Sequence, residues 1–61
     1  MSFRTARERA GLTQAEVARE MGVDQSAVSF WDCGATRPRA ALLLKLAALY
    51  GVTVDELLKE D

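Results

Sequence analysis

Apolar residues recur along this chain at intervals of three and four, the spacing of a helix buried along one face, and no β-branched run alternates with polar residues. Val17, Ala18 and Met21 share one face of a segment from Gln14 to Met21, and Val28 and Trp31 share one face of a segment from Gln25 to Cys33. Leu42 or Leu43, with Leu46, Ala47 and Tyr50, line a segment that opens at Arg39 or Ala40 and closes at Tyr50. Val54, Leu57 and Leu58 line a last segment ending at Lys59, and a first segment from Ser2 to Ala10 turns Phe3, Ala6 and Ala10 inward. The pattern predicts five helices. The abundance of Ala, Leu, Glu and Arg favours the same reading.

The helix limits are written locally. In Leu12-Thr13-x-x-Glu16-Val17, Thr13 can cap the helix, Glu16 can reach back to it, and Leu12 can staple to Val17. The arrangement recurs at Val52-Thr53-x-x-Glu56-Leu57. It recurs in part at Val23-Asp24-x-x-Ala27-Val28, where a cap and staple are expected without the Glu. Gly11, Gly22, Gly34 and Gly51 stand where the first four helices should end, as a left-handed closing residue requires. Ala18 lies one turn before Gly22, where two steeply crossing helices come closest and a larger side chain would force them apart.

Sixty-one residues make a single domain, 1–61, with a small core and marginal stability. The longest apolar run, Ala40 to Leu44, is broken by Lys45 and falls far short of the roughly 18 residues of a membrane span. Arginines near the N-terminus have no apolar stretch behind them, which excludes a signal peptide. Cys33 is alone and the chain has no His, so neither an internal disulfide nor a zinc site is expected. A cytosolic protein without metal or cofactor is the expectation. The net charge of −1 divides unevenly: residues 1–50 carry seven basic and five acidic groups, and residues 51–61 carry one basic and four acidic. A mildly basic body with an acidic tail is compatible with DNA binding and does not by itself argue for it. The absence of His, of a nucleophile–base pair and of a phosphate-cradling glycine loop argues against an enzyme.

The stretch from Thr13 to Gly34 therefore sets two short amphipathic helices across a tight turn at Gly22. The second opens on Asp24-Gln25-Ser26, short hydrogen-bonding side chains in place of core residues. That layout lets one helix lie in the DNA major groove while the other holds it there.

These residues resemble the phage-repressor and Cro-like helix-turn-helix family, the xenobiotic-response-element type. The resemblance runs from Leu12-Thr13-Gln14 through Ala18, Gly22-Val23, Gln25-Ser26 and Asp32-x-Gly34. It continues through Pro38, Leu43-x-Lys45-Leu46-Ala47, Gly51-Val52 and Asp55-Glu56-Leu57. It implies an all-α, compact five-helix bundle of lambda-repressor-like type, with residues 13–34 as its helix-turn-helix. It further implies a sequence-specific, repressor-like transcription regulator in a bacterial or phage cytoplasm. Such a protein would bind a double-stranded, two-fold DNA operator as a homodimer, with no small-molecule substrate.

Carried onto matching positions, the family roles make Gln14 a phosphate brace that can also support the next helix. Thr36, Arg37 and Arg39 become phosphate contacts at the following helix start. Gln25 and Ser26 become base readers, with Ser29 one turn on. A Gln amide can pair with adenine N6 and N7, and a Ser hydroxyl with several base edges. The competing readings are a solvated helix start for Gln14, neutral surface for Gln25 and Ser26, and solubilising loop residues for Arg37 and Arg39. Trp31 is expected in the core and Cys33 as an inert near-surface thiol.

Phe30 departs from the family pattern, which favours a polar residue there. Three readings stand open: contact with a thymine methyl, packing beneath the following loop, or half of a protein–protein contact. With Asp24 and Asp32 on the third helix and no cation, weak binding per copy and a shallow salt dependence are expected. A protein-interaction module on the same scaffold, such as an antirepressor or antitoxin-like partner, is the alternative. The opening Met and charged ending fit a complete small protein, with the N-terminal piece of a longer regulator as the other expectation.

Overall fold

Four of the five helix starts read from the sequence are the ones the chain uses. In a computed structural model, which describes residues 1–59, the helices are α1 (Phe3–Arg9), α2 (Gln14–Met21), α3 (Gln25–Cys33), α4 (Ala40–Tyr50) and α5 (Val54–Leu58). Both capping boxes form. Thr13 Oγ1 accepts from Glu16 N at 3.1 Å while Glu16 Oε1 accepts from Thr13 N at 3.0 Å, and Thr53 and Glu56 repeat the exchange. Ser2 is the cap of α1, accepting from Thr5 N, and not its first helical residue.

Three expectations are corrected. Asp24 takes the extended cap conformation but makes no side-chain cap bond; the Ala27 amide, which would serve it, donates to the Asp24 carbonyl instead. Ala10 is exposed: α1 ends at Arg9, and the chain turns so that Leu12 packs against the core in its stead. Lys59 is not helical; α5 stops at Leu58 and Lys59 is extended, with the α-ammonium of Met1 donating to the carbonyls of Glu56 and Lys59.

One construction joins three of the four connections. At each, the amide just after the glycine reaches back five positions: Leu12 N to Arg7 O, Val23 N to Ala18 O, and Val52 N to Ala47 O. That residue is apolar and packs against the core, and the next residue opens the following helix. Gly22 carries the turn between α2 and α3 with φ +69°, a conformation that costs an L-residue but not glycine. Ala35 N closes on Phe30 O in the same manner after α3, but residues 35–39 then run on without a helix.

Val17, Val28, Leu46 and Leu57, one each from α2 to α5, fill the centre, ringed by Ala6, Ala18, Met21, Trp31, Ala47 and Tyr50. Leu42 and Leu43 both pack against this core from the edge. Pro38, read only as a loop residue, is buried as well. The most extensive helix–helix packing is between α2 and α3, and the body measures 26 × 22 × 19 Å. Among the described residues, no helix is long and apolar enough to cross a membrane and no acid–thiol cluster could hold a metal.

Candidate nucleic-acid interface

Because α3 buries Val28 and Trp31, its other face is turned to solvent. Gln25 and Ser26 are exposed in the first turn and Ser29 is half-buried one turn on. Phe30 leaves 50% of its surface exposed, so it is not the peripheral core residue that one reading made it. Ser26 and Phe30 flank a shallow groove over Val23 and Ala27, and Ser29 shares a cleft of about 230 Å³ with Gln14, Arg7 and Asp32. The helix starts differ in a way that bears on this face. α1, α2 and α5 have side-chain caps, whereas α3 and α4 open at Asp24 and Arg39 without one. Their first-turn amides lack a side-chain acceptor at the positive end of the helix dipole, an arrangement suited to an anion.

The expected phosphate contacts come from three parts of the chain: α2, the segment after α3 and the start of α4. Gln14 is half-buried and its Nε2 donates to Asp32 Oδ2 at 3.0 Å, so the support of the next helix is realised. Thr36 and Arg37 are exposed beyond the far end of α3, lining a groove with Phe3 and Lys59. Arg39 is exposed at the start of α4.

Asp32 is the main departure from what the charges alone implied. Its side chain is only 6% exposed, and Oδ2 accepts from Arg7 Nε at 3.0 Å as well as from Gln14. Arg7, 12% exposed, also donates through Nη1 to the carbonyl of Leu12 at 2.8 Å, tying α1 to the turn before α2. Asp32 is therefore neutralised inside the domain and does not repel a polyanion at the α3 surface. The outward charge at this helix reduces to Asp24 at its cap.

Arg7 was missed as a functional residue, although a signal existed. It stands four residues after Phe3, as Asp32 stands four after Val28, so a cation and an acid fall on inward faces of two helices. Tyr50 belongs to the same interior. Its hydroxyl is pushed up to about 12, first by burial and then by the negative charge of Asp32, with Arg7 opposing. At the surface, hydrogen bonds from the Thr13 and Thr53 backbone, and then from their hydroxyls, hold Glu16 and Glu56 below the usual carboxylate value.

Two helices across a glycine turn, the second anchored from behind and open in front, make this a helix-turn-helix domain. The chain belongs to the helix-turn-helix family of the Cro/C1 type, whose model matches residues 3–57. It is 36% identical over 59 residues to the HTH-type transcriptional regulator ImmR of Bacillus subtilis (strain 168). That match covers 97% of this chain and 46% of ImmR, so the chain spans about half the length of this relative. No solved structure matches.

Proposed function

We propose that this chain is the DNA-binding domain of a sequence-specific, repressor-like transcription regulator, with α3 in the major groove. The observation that carries the reading is α3 itself: anchored on one side by Val28, Trp31 and Asp32, it presents Gln25 and Ser26 in an uncapped first turn on the other. Gln25, Ser26, Ser29 and the Phe30 ring face base edges in this reading, the ring against a thymine methyl. Gln14, Thr36, Arg37 and Arg39 hold phosphates, and the domain acts without catalysis or cofactor in the cytoplasm. The name of ImmR, a transcriptional regulator, supports the assignment.

A module this small buries too little surface for tight specific binding alone, so two copies act on a two-fold operator. Half-sites one turn apart lie about 34 Å centre to centre. A body 26 Å in its longest dimension fits that spacing without overlap. With Arg37 and Arg39 as the cations in contact, the logarithm of affinity should fall with that of salt at a slope of about −2 per copy.

Changing Gln25 and Ser26 together to Ala tests the reading. Preference for an operator selected from a random DNA pool should vanish while weak non-specific binding persists; a double variant that still picks the same operator removes both residues from the readers. A protein-interaction module is the second reading, favoured by the 50% exposure of Phe30 and the 65% exposure of Leu44. Absence of any gel retardation at micromolar protein in low salt would decide for it.

A further inference from the structure

Asp32 is buried, yet only one of its two oxygens is engaged. Oδ2 takes both Arg7 and Gln14, while Oδ1, equally enclosed, has no partner. Among the described residues the other buried side-chain atom in this condition is the hydroxyl oxygen of Tyr50, at the end of α4. The two are complementary: a phenol donates and a carboxylate oxygen accepts. They also share an interior: α1, whose Arg7 holds Asp32, packs against both α3 and α4, and the Asp32 charge helps push the Tyr50 hydroxyl up. Leaving both unpaired would incur two desolvation penalties that a single bond removes.

We propose that the Tyr50 hydroxyl, which makes no bond in this structure, donates to Asp32 Oδ1 in solution, after a small side-chain shift or through one enclosed water, and that Tyr50 is thereby a positioning residue for α3. The carboxylate of α3 is then held from three sides, by Arg7 of α1, Gln14 of α2 and Tyr50 of α4. The functional half of this inference rests on the DNA reading above. Gln25 lies seven residues before Asp32, roughly 10 Å along the helix axis. A tilt of about 5° at Asp32 therefore displaces it by about 1 Å, enough to spoil a bidentate base contact. Tyr50 itself lies in the core, away from the proposed DNA face.

Tyr50→Phe in the full chain separates the possibilities, because the sign of its effect depends on the pairing. A paired hydroxyl, once removed, leaves Oδ1 orphaned, and the unfolding equilibrium constant should rise about tenfold. An unpaired one, once removed, relieves a penalty, and stability should hold or increase. Proton NMR in water supplies a signature that packing alone would not move: the hydroxyl proton of this single tyrosine should be resolved and slow to exchange.

The positioning role predicts that Tyr50→Phe lowers preference for the selected operator several-fold, with non-specific binding within twofold of the parent. Unchanged or raised stability without a resolved hydroxyl proton overturns the pairing. Lost stability with full operator preference overturns the positioning role. If the parent chain retards no DNA, the DNA reading fails, and the first two measurements, made without DNA, still decide the pairing.

Discussion

Arg7→Met removes the cation from Asp32 while keeping much of the length and apolar stem of the side chain. Asp32 would then remain buried without a cation, Gln14 still donating to its Oδ2, and the Leu12 carbonyl would lose the guanidinium. Breaking one side of a buried ion pair costs about 3–5 kcal/mol, because the remaining charge is uncompensated. At about 0.05–0.15 kcal/mol per residue, a 61-residue domain has roughly 3–9 kcal/mol in total. The variant should therefore stand at the edge of unfolding.

Trp31 is the chain's one tryptophan and 5% exposed, so its fluorescence reports unfolding in urea directly. With a slope of about 1 kcal/mol per molar urea for so small a domain, the midpoint should fall by about 3–5 M, or the variant should be unfolded without urea. Replacing both partners, Arg7→Met with Asp32→Leu, removes the stranded charge and should restore most of the loss. A loss below about 1 kcal/mol for Arg7→Met alone, the value of an exposed pair, would refute the buried hub.

Three further outcomes are expected. Ala18→Leu places a larger side chain at the α2–α3 crossing and should cost about 1–3 kcal/mol; an unchanged melting temperature would contradict the close approach. Glu16 and Glu56 have folded-state pKa values below their unfolded value of 4.5, so their stabilisation is present above that pH and lost as the pH falls through the lower folded values. Thermal melts should show this acid limb flattened by Thr13→Ala with Thr53→Ala. Tyr50, raised from 10.0 to about 12, contributes stability below pH 10 that is lost as pH climbs to about 12. Alkaline titration of unfolding should show a fall of up to about 2 kcal/mol there, missing in Tyr50→Phe.

The helix limits were legible because each is decided within a few residues: Thr13 with Glu16, Thr53 with Glu56, and glycine after the last turn. The inward faces were legible for the same reason. What escaped depends on contacts between helices. Arg7 meets Asp32 across 25 positions, a meeting that requires α1 to lie over α3. Counting Asp32 as a surface anion was the error that followed. Asp24 shows the opposite limit, since the residue type suits a cap but its carboxylate is not engaged. The placement of Thr36 and Arg37 beside Phe3 and Lys59 is likewise set by how the segment after α3 folds back, which no local spacing encodes. The acidic tail is described only as far as Lys59; Glu60 and Asp61 lie outside the described residues.

The three glycine-closed connections and the one that departs from them divide the chain into parts with different tolerance for change in length. In Gly11-Leu12-Thr13, Gly22-Val23-Asp24 and Gly51-Val52-Thr53 every residue has a post: one turns the backbone, one packs on the core, one opens a helix. Adding or deleting a residue there leaves one of these posts unfilled or wrongly filled, so the turn, the core contact and the next cap can no longer all be made. Between Gly34 and Pro38 nothing of the kind applies, since Ala35, Thr36 and Arg37 are all exposed and loop closure costs little per added residue. This stretch is where a chain of this build can take insertions, and so change what it grips, without rebuilding the scaffold beneath.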